Sequence, residues 1–200
     1  PIAIVVQGED NPGQVTSNIR IDRNKFILQH ANDATAGIGD VGIYAVNSGT
    51  TAQPNYITNN FFAIAGRSAT VPTVEGAPHG IWLDPNTSHS EGADYWTVTG
   101  NSFPSTGAWH WRRQVMLGGD MNQANIVLTN NTFNSKAMRG VSINDTTNTL
   151  GLTGTGNIFT GTYTEPAAGI GVYIVSNAFP AANVTINGTT PIISHQQAET

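Results

Sequence analysis

Ile126-Val127-Leu128-Thr129-Asn130-Asn131-Thr132-Phe133 is a short alternating apolar strand that runs into Asn-x-Phe, and the chain repeats this unit. Asn-x-Phe recurs at Asn24/Phe26, Asn60/Phe62, Asn101/Phe103, Asn131/Phe133, Asn157/Phe159 and Asn177/Phe179, in steps of 36, 41, 30, 26 and 20 residues. An apolar residue stands three before the Asn at Ile21, Ile57, Val98, Leu128 and Ile174, with Gly154 as the exception. A second series lies between the copies: Gly42-Ile43-Tyr44-Ala45, Gly80-Ile81-Trp82-Leu83, Gln114-Val115-Met116-Leu117, Gly140-Val141-Ser142-Ile143 and Gly171-Val172-Tyr173-Ile174. It too reads as period-2 alternation, and its last copy runs straight into Asn177, so the two series merge there.

Constant cores with irregular steps mean a coil whose loops vary in length. Stacking such coils with equivalent residues above one another gives a parallel β-solenoid, with inward Phe and Ile/Val/Leu stacks. The Asn belongs where the strand bends, where its amide can bond the next coil's Asn and tolerate left-handed backbone geometry.

The two units, apolar-x-apolar-x-x-Asn-x-Phe and Gly-Ile/Val-x-apolar, cover roughly residues 18 to 187. Together they resemble the right-handed parallel β-helix repeats of the pectate-lyase-like superfamily. The resemblance implies an all-β, right-handed parallel β-helix (solenoid) of about five to six coils with long loops. A β-sandwich with chance repeats is the competing architecture. The expected division is an N-terminal strand-like segment, 1–17, serving as end cap or subunit contact, then the β-helix, 18–190, and a polar C-terminal tail, 191–200. The fold hosts lyases, hydrolases, epimerases, tailspikes and adhesins, so it leaves the function open.

Composition narrows the classes. Of 200 residues only 10% are charged, while 25 Thr, 22 Gly and 21 Asn make up a third of the chain. That excludes a charged disordered segment and, because these are poor helix formers, an all-helical protein. A net charge of −5 argues against a nucleic-acid binder. The longest apolar run, Ile2 to Val6, is far too short to span a membrane. With no Cys, disulfides and thiolate metal sites are out. The five His have no short ligand spacing and no phosphate-cradling loop is present, so no metal and no cofactor are expected.

Reactive side chains concentrate between His79 and Asp120. Trp82-Leu83-Asp84 is similar to part of the Trp-Ile-Asp-His signature of pectate lyases, but Pro85 takes the His position and no Arg-x-Pro-x-x-Arg follows. Catalysis is therefore not the first expectation. Were the chain an enzyme, a polysaccharide lyase or hydrolase, Asp84 or His110 would be the base and Arg112 the charge neutraliser. Tyr44, Trp82, Met116, Ser142 and Tyr173 fall on the outward face of the second series. Tyr44, Trp82 and Tyr173, with Trp109 and Trp111, are the candidates for carbohydrate or partner contact. The outward pairs of the first series are Arg20/Asp22, Tyr56/Thr58, Thr97/Thr99, Val127/Thr129 and Thr153/Thr155, suited to exposed strands. Glycosylation sequons stand at Asn86, Asn130, Asn144, Asn183 and Asn187.

The leading functional expectation is an extracellular or cell-surface structural protein, a β-helix subunit that self-assembles head to tail into a filament, fibre or surface layer. Its opening segment, Ile2-Ala3-Ile4-Val5-Val6, would complete a neighbour's sheet or core through Ile2, Ile4 and Val6. The alternatives are a carbohydrate-binding or polysaccharide-degrading β-helix protein, including a phage tailspike fragment, and an adhesin domain. Copies of itself are the expected partner, with polysaccharide the partner in the second reading.

Overall fold

The turn at each Asn-x-Phe decides how the chain folds. Arg23, Asn59, Gly100, Asn130 and Gly156, each one residue before the repeated Asn, have φ of 56, 55, 67, 54 and 72°. This left-handed conformation swings the chain sharply, and Asn and Gly adopt it at the least cost. The left-handed residue thus precedes the repeated Asn, one position earlier than its sequence reading placed it. The computed structural model describes residues 2–8, 16–28, 40–46, 48, 52–65, 78–84, 93–105, 110–117, 125–143, 152–161, 172–174 and 184–186.

Each turn divides the apolar-Asn-Phe unit into two strands that join different sheets. In chain order the strands are β1 (Ile2–Gln7), β2 (Arg20–Asp22), β3 (Lys25–Leu28), β4 (Val41–Val46), β5 (Asn55–Thr58), β6 (Phe61–Ile64), β7 (His79–Leu83), β8 (Trp96–Thr99) and β9 (Ser102–Phe103). They continue as β10 (His110–Leu117), β11 (Ile126–Thr129), β12 (Thr132–Phe133), β13 (Lys136–Ile143), β14 (Leu152–Gly154), β15 (Ile158–Phe159), β16 (Val172–Ile174) and β17 (Val184–Ile186). Every third strand shares a sheet. The first sheet runs β1-β4-β7-β10-β13-β16, the second β2-β5-β8-β11-β14-β17 and the third β3-β6-β9-β12-β15. Pairing among the described residues is parallel throughout. The protein is therefore all-β, with parallel strands in three stacked sheets, as a parallel β-helix requires and an antiparallel sandwich does not.

The register lines up the core. Ile21, Ile57 and Val98 pair in succession and Leu128 follows Val98. Phe26, Phe62, Phe103, Phe133 and Phe159 form a continuous stack, with centroids 4.7, 4.8, 5.3 and 4.7 Å apart and planes within 16°. That spacing follows the ~4.8 Å between hydrogen-bonded strands, so ring stacking and backbone pairing reinforce each other.

The repeated Asn forms a second stack beside the rings. Asn60 Oδ1 accepts from both the backbone N–H and Nδ2 of Asn24, at 2.9 and 3.1 Å, and Asn101, Asn131 and Asn157 repeat the arrangement upward. Each Nδ2 also reaches back to a carbonyl of the preceding repeat: Asn60 to Ile21, Asn101 to Ile57, Asn131 to Val98, and Asn157 to Leu128. At Gly154 an added Cβ would lie 1.9 Å from the Leu128 carbonyl oxygen. This explains the missing apolar residue in that copy.

Ile174 pairs with Ile143 in the first sheet, as its place in the second series predicts, and the second sheet continues in β17. One detail differs from simple alternation: the second series breaks its period at the opening Gly. His79 and Trp82, three residues apart, share the outer face, and so do Arg139 and Ser142. Gly80 lies inward between them, where an added Cβ would sit 2.4 Å from the Phe103 ring, and Gly42 meets Phe62 in the same way. The glycines admit the phenylalanine stack. At the equivalent position Gln114 is buried and its amide donates to Ser135 Oγ at 2.7 Å.

Candidate functional site

The outer face of the first sheet gathers most of the chemistry-bearing side chains. Tyr44, Trp82, Met116, Ser142 and Tyr173 fall in one register column. Tyr44 is only 8% exposed, Met116 and Ser142 are buried and Trp82 is half-buried. Tyr44 and Trp82 meet edge to face at 5.3 Å, and the Tyr44 hydroxyl donates to Asp84 Oδ2 at 2.7 Å. Of this aromatic pair Trp82 keeps the more exposed surface, while Tyr44 has little to offer a sugar or partner.

A second column at the start of the same strands consists of Val41, His79, Arg113 and Arg139 in register. His79, Arg113 and Arg139 are buried, as is Arg112. Burial pushes the His79 imidazole well below its ordinary value, and the nearby Arg113 and Arg112 guanidinium groups push the same way. The ring is neutral at pH 7, and its centroid lies 5.5 Å from that of the tilted Trp82 ring. This alignment went unread in the sequence, although His79, Arg113 and Arg139 each stand one residue before a Gly or Gln of the second series.

The register separates Asp84 from Arg112. Arg112 donates its backbone N–H to Pro78 O, before β7, whereas Asp84 follows the end of that strand. Six residues of extended chain place them roughly 20 Å apart. The His110 backbone pairs with Lys136, still further toward the Arg112 end. Asp84 instead belongs with Tyr44 and Trp82. Asp84 and Arg112 therefore do not converge, while His110 stands two residues from Arg112 on β10 with its side chain outside the described residues.

The remaining candidates have definite places. Trp111 is buried against Phe103, centroid to centroid 5.8 Å, and fills the core. Trp109 lies outside the described residues, as do Asn177, Phe179 and the segment 191–200. The sequons at Asn86, Asn144, Asn183 and Asn187 lie outside them too, while Asn130 is exposed on its turn. Ile2, Ile4 and Val6 pair with Val41, Ile43 and Ala45 of the same chain. Val6 is in the core and Ile4 packs against it, while Ile2 packs on Val41, Tyr44 and Val46. Between them Val5 points outward, 52% exposed, in register with Tyr44.

The second sheet's outer face has two columns, Arg20-Tyr56-Thr97-Val127 and Asp22-Thr58-Thr99 with Thr129 above, and the backbones of Thr153 and Thr185 continue the register of the first. Thr129 Oγ1 donates to Thr99 Oγ1 at 2.8 Å. Asp22 Oδ1 accepts from Thr58 Oγ1 at 2.6 Å and from Asn59 Nδ2 at 3.0 Å. These two donors, with the nearby Arg23 and Arg20 charges, hold the Asp22 carboxyl below its ordinary value. A depressed carboxylate contributes stability above its unfolded value and loses it as pH falls through the folded one. Thr58→Val should therefore raise the Asp22 midpoint in an NMR titration of the side-chain carboxyl. An unchanged midpoint would show that the Thr58 bond does not set it.

Among the described residues no helix is long and apolar enough to cross a membrane, and no three His, Asp or Glu are grouped to hold a metal ion. Compared with known proteins, the chain matches no family model, no curated protein and no solved structure.

Proposed function

We propose that this protein is an extracellular structural subunit, a right-handed parallel β-helix of the pectate-lyase-like kind with about five to six coils, that assembles head to tail into a filament, fibre or surface layer. The observation that carries this reading is β1. It is a terminal strand of the first sheet, pairs with β4 on one side, and has no described strand on the other. Its sequence, Ile2-Ala3-Ile4-Val5-Val6-Gln7, has no charge and no Pro to guard the open edge.

Parallel strands give the two edges of a sheet different hydrogen-bonding patterns. A copy displaced along the stack continues the pairing in parallel, whereas a two-fold partner would face like edge to like edge. Repeated contact of that kind is heterologous and open-ended. The Val5 side chain would extend the Tyr44 column to the neighbour's last strand in the first sheet, where Tyr173 holds the same column.

Electron microscopy and sedimentation over a concentration series test this. Wild-type protein should form fibres above a threshold concentration, and Val5→Lys should raise that threshold at least tenfold. The exposed position of Val5 predicts an unchanged circular dichroism spectrum and melting temperature. Wild-type protein that stays monomeric at every concentration would overturn the reading.

A further inference from the structure

We infer that the outer face of the first sheet carries a proton-operated latch: a proton taken up by His79 adds a cation to a buried row of guanidinium groups, and the packing over His79 and Trp82 opens to let water reach them. Strand pairing fixes the row. Val41, His79, Arg113 and Arg139 hold one register position on successive strands, which sets their backbones ~4.8 Å apart per strand. His79, Arg113 and Arg139 are each 3% exposed.

The described elements packed against His79 bring it these charged groups. From β10 come Arg113, its register partner, and buried Arg112, whose backbone N–H donates to Pro78 O. From the approach to β4 comes buried Asp40, whose backbone carbonyl accepts the His79 N–H at 2.8 Å. Arg139 lies one strand beyond Arg113, with Nη1 donating to Ser142 Oγ at 3.3 Å. Asp84 follows the far end of β7, roughly 17 Å along extended chain, and accepts from the Tyr44 hydroxyl.

Two buried polar atoms on this face, His79 Nδ1 and Trp82 Nε1, have no hydrogen-bond partner. Their rings lie 5.5 Å apart, centroid to centroid. A neutral imidazole tolerates such a dry site. An imidazolium does not, because both its nitrogens must donate and its charge is repelled by Arg113 and Arg112. Water entering over the two rings would bond both atoms and screen the cations, so opening relieves every one of these costs. Burial and the two guanidinium groups hold His79 well below the ordinary imidazole value of 6.5. A group lowered in this way leaves the closed form at full strength above 6.5 and weakens it as pH falls toward the closed-form value. Within that window each unit of acidification raises the ratio of opened to closed form by about tenfold. The face that carries Trp82 is thus shut around His79 at neutral pH and reachable in acid.

Acrylamide quenching of Trp82 fluorescence, taken as the part of the signal that Trp82→Phe removes, tests the latch. Between about pH 7.5 and about pH 5 the wild-type quenching constant should rise about threefold, with the far-UV circular dichroism unchanged. His79→Gln, polar but unable to take up a proton, should show no rise. The carbon-bound ring protons of His79, followed by NMR in wild-type protein, should move to their protonated positions over the same range, which decides the matter even if His79→Gln does not fold. A flat wild-type profile, a rise that persists in His79→Gln, a His79 ring that stays neutral as quenching rises, or loss of the β signal in this range would each overturn the latch.

Discussion

Asn131→Ala is expected to lower the unfolding free energy by about 3–5 kcal/mol, far more than the usual effect of a surface polar substitution. The side chain is fully buried. Its Oδ1 accepts from the backbone N–H and Nδ2 of Asn101, and its Nδ2 donates to Val98 O and Asn157 Oδ1. Alanine strands the buried Asn101 N–H and removes the donor to Val98 O. Each such loss costs about 1–3 kcal/mol when water cannot replace the partner. Asn131→Asp should do no better, because its second oxygen would face two acceptors. Asn24→Ala is the control: Asn24 is exposed at the start of the stack and should cost under about 1 kcal/mol. Urea unfolding followed by circular dichroism measures both. Similar small losses at Asn131 and Asn24 would show that the asparagine stack does not hold the repeats together.

Phe103→Ala should cost about 3–5 kcal/mol, the range for deleting a buried aromatic ring. Phe103 stacks on Phe62 and Phe133 and takes Trp111 against its edge. On another side it meets the backbone of Gly80, which has no side chain to move into the space. A hole lined partly by paired backbone collapses poorly, so the cost falls toward the upper part of the range. Phe159→Ala, at a half-buried end of the same stack, should cost about half as much. Thermal unfolding of the two variants decides it. Equal losses would mean that the stack is not the continuous core its geometry describes.

The stacks were legible because each copy carries its Asn and Phe two positions apart in the same local unit. The Asn-x-Phe copies give the ring stack and the amide stack directly. Even the irregular steps between copies carry no ambiguity once the strands pair in register. The alternation at Gly42 and Gly80 misled, because those glycines answer a ring from the next repeat, and no local pattern reports that contact. Ile174, read as a member of both series, belongs to the sheet of the second one. A short apolar run looks the same whichever sheet it joins.

Among the candidate residues, Trp111 looked like a surface anchor from its Trp-His-Trp-Arg-Arg setting, yet strand pairing turns it into the core. Asp84 and Arg112 looked close because long connections between strands are invisible to spacing. Parallel register places them at opposite ends of neighbouring strands.

By itself, the sequence determined the repeating unit, its inward stacks and the bond from each asparagine to that of the next coil, since all three follow from short-range period and residue chemistry. Only the tertiary structure decided the division into three sheets, the burial of Tyr44 on the outer face, the aligned His79, Arg113 and Arg139, and the place of β1 as a terminal strand of the first sheet. Those depend on which strands, tens of residues apart, come to lie side by side, and that is settled by pairing and packing across the whole chain.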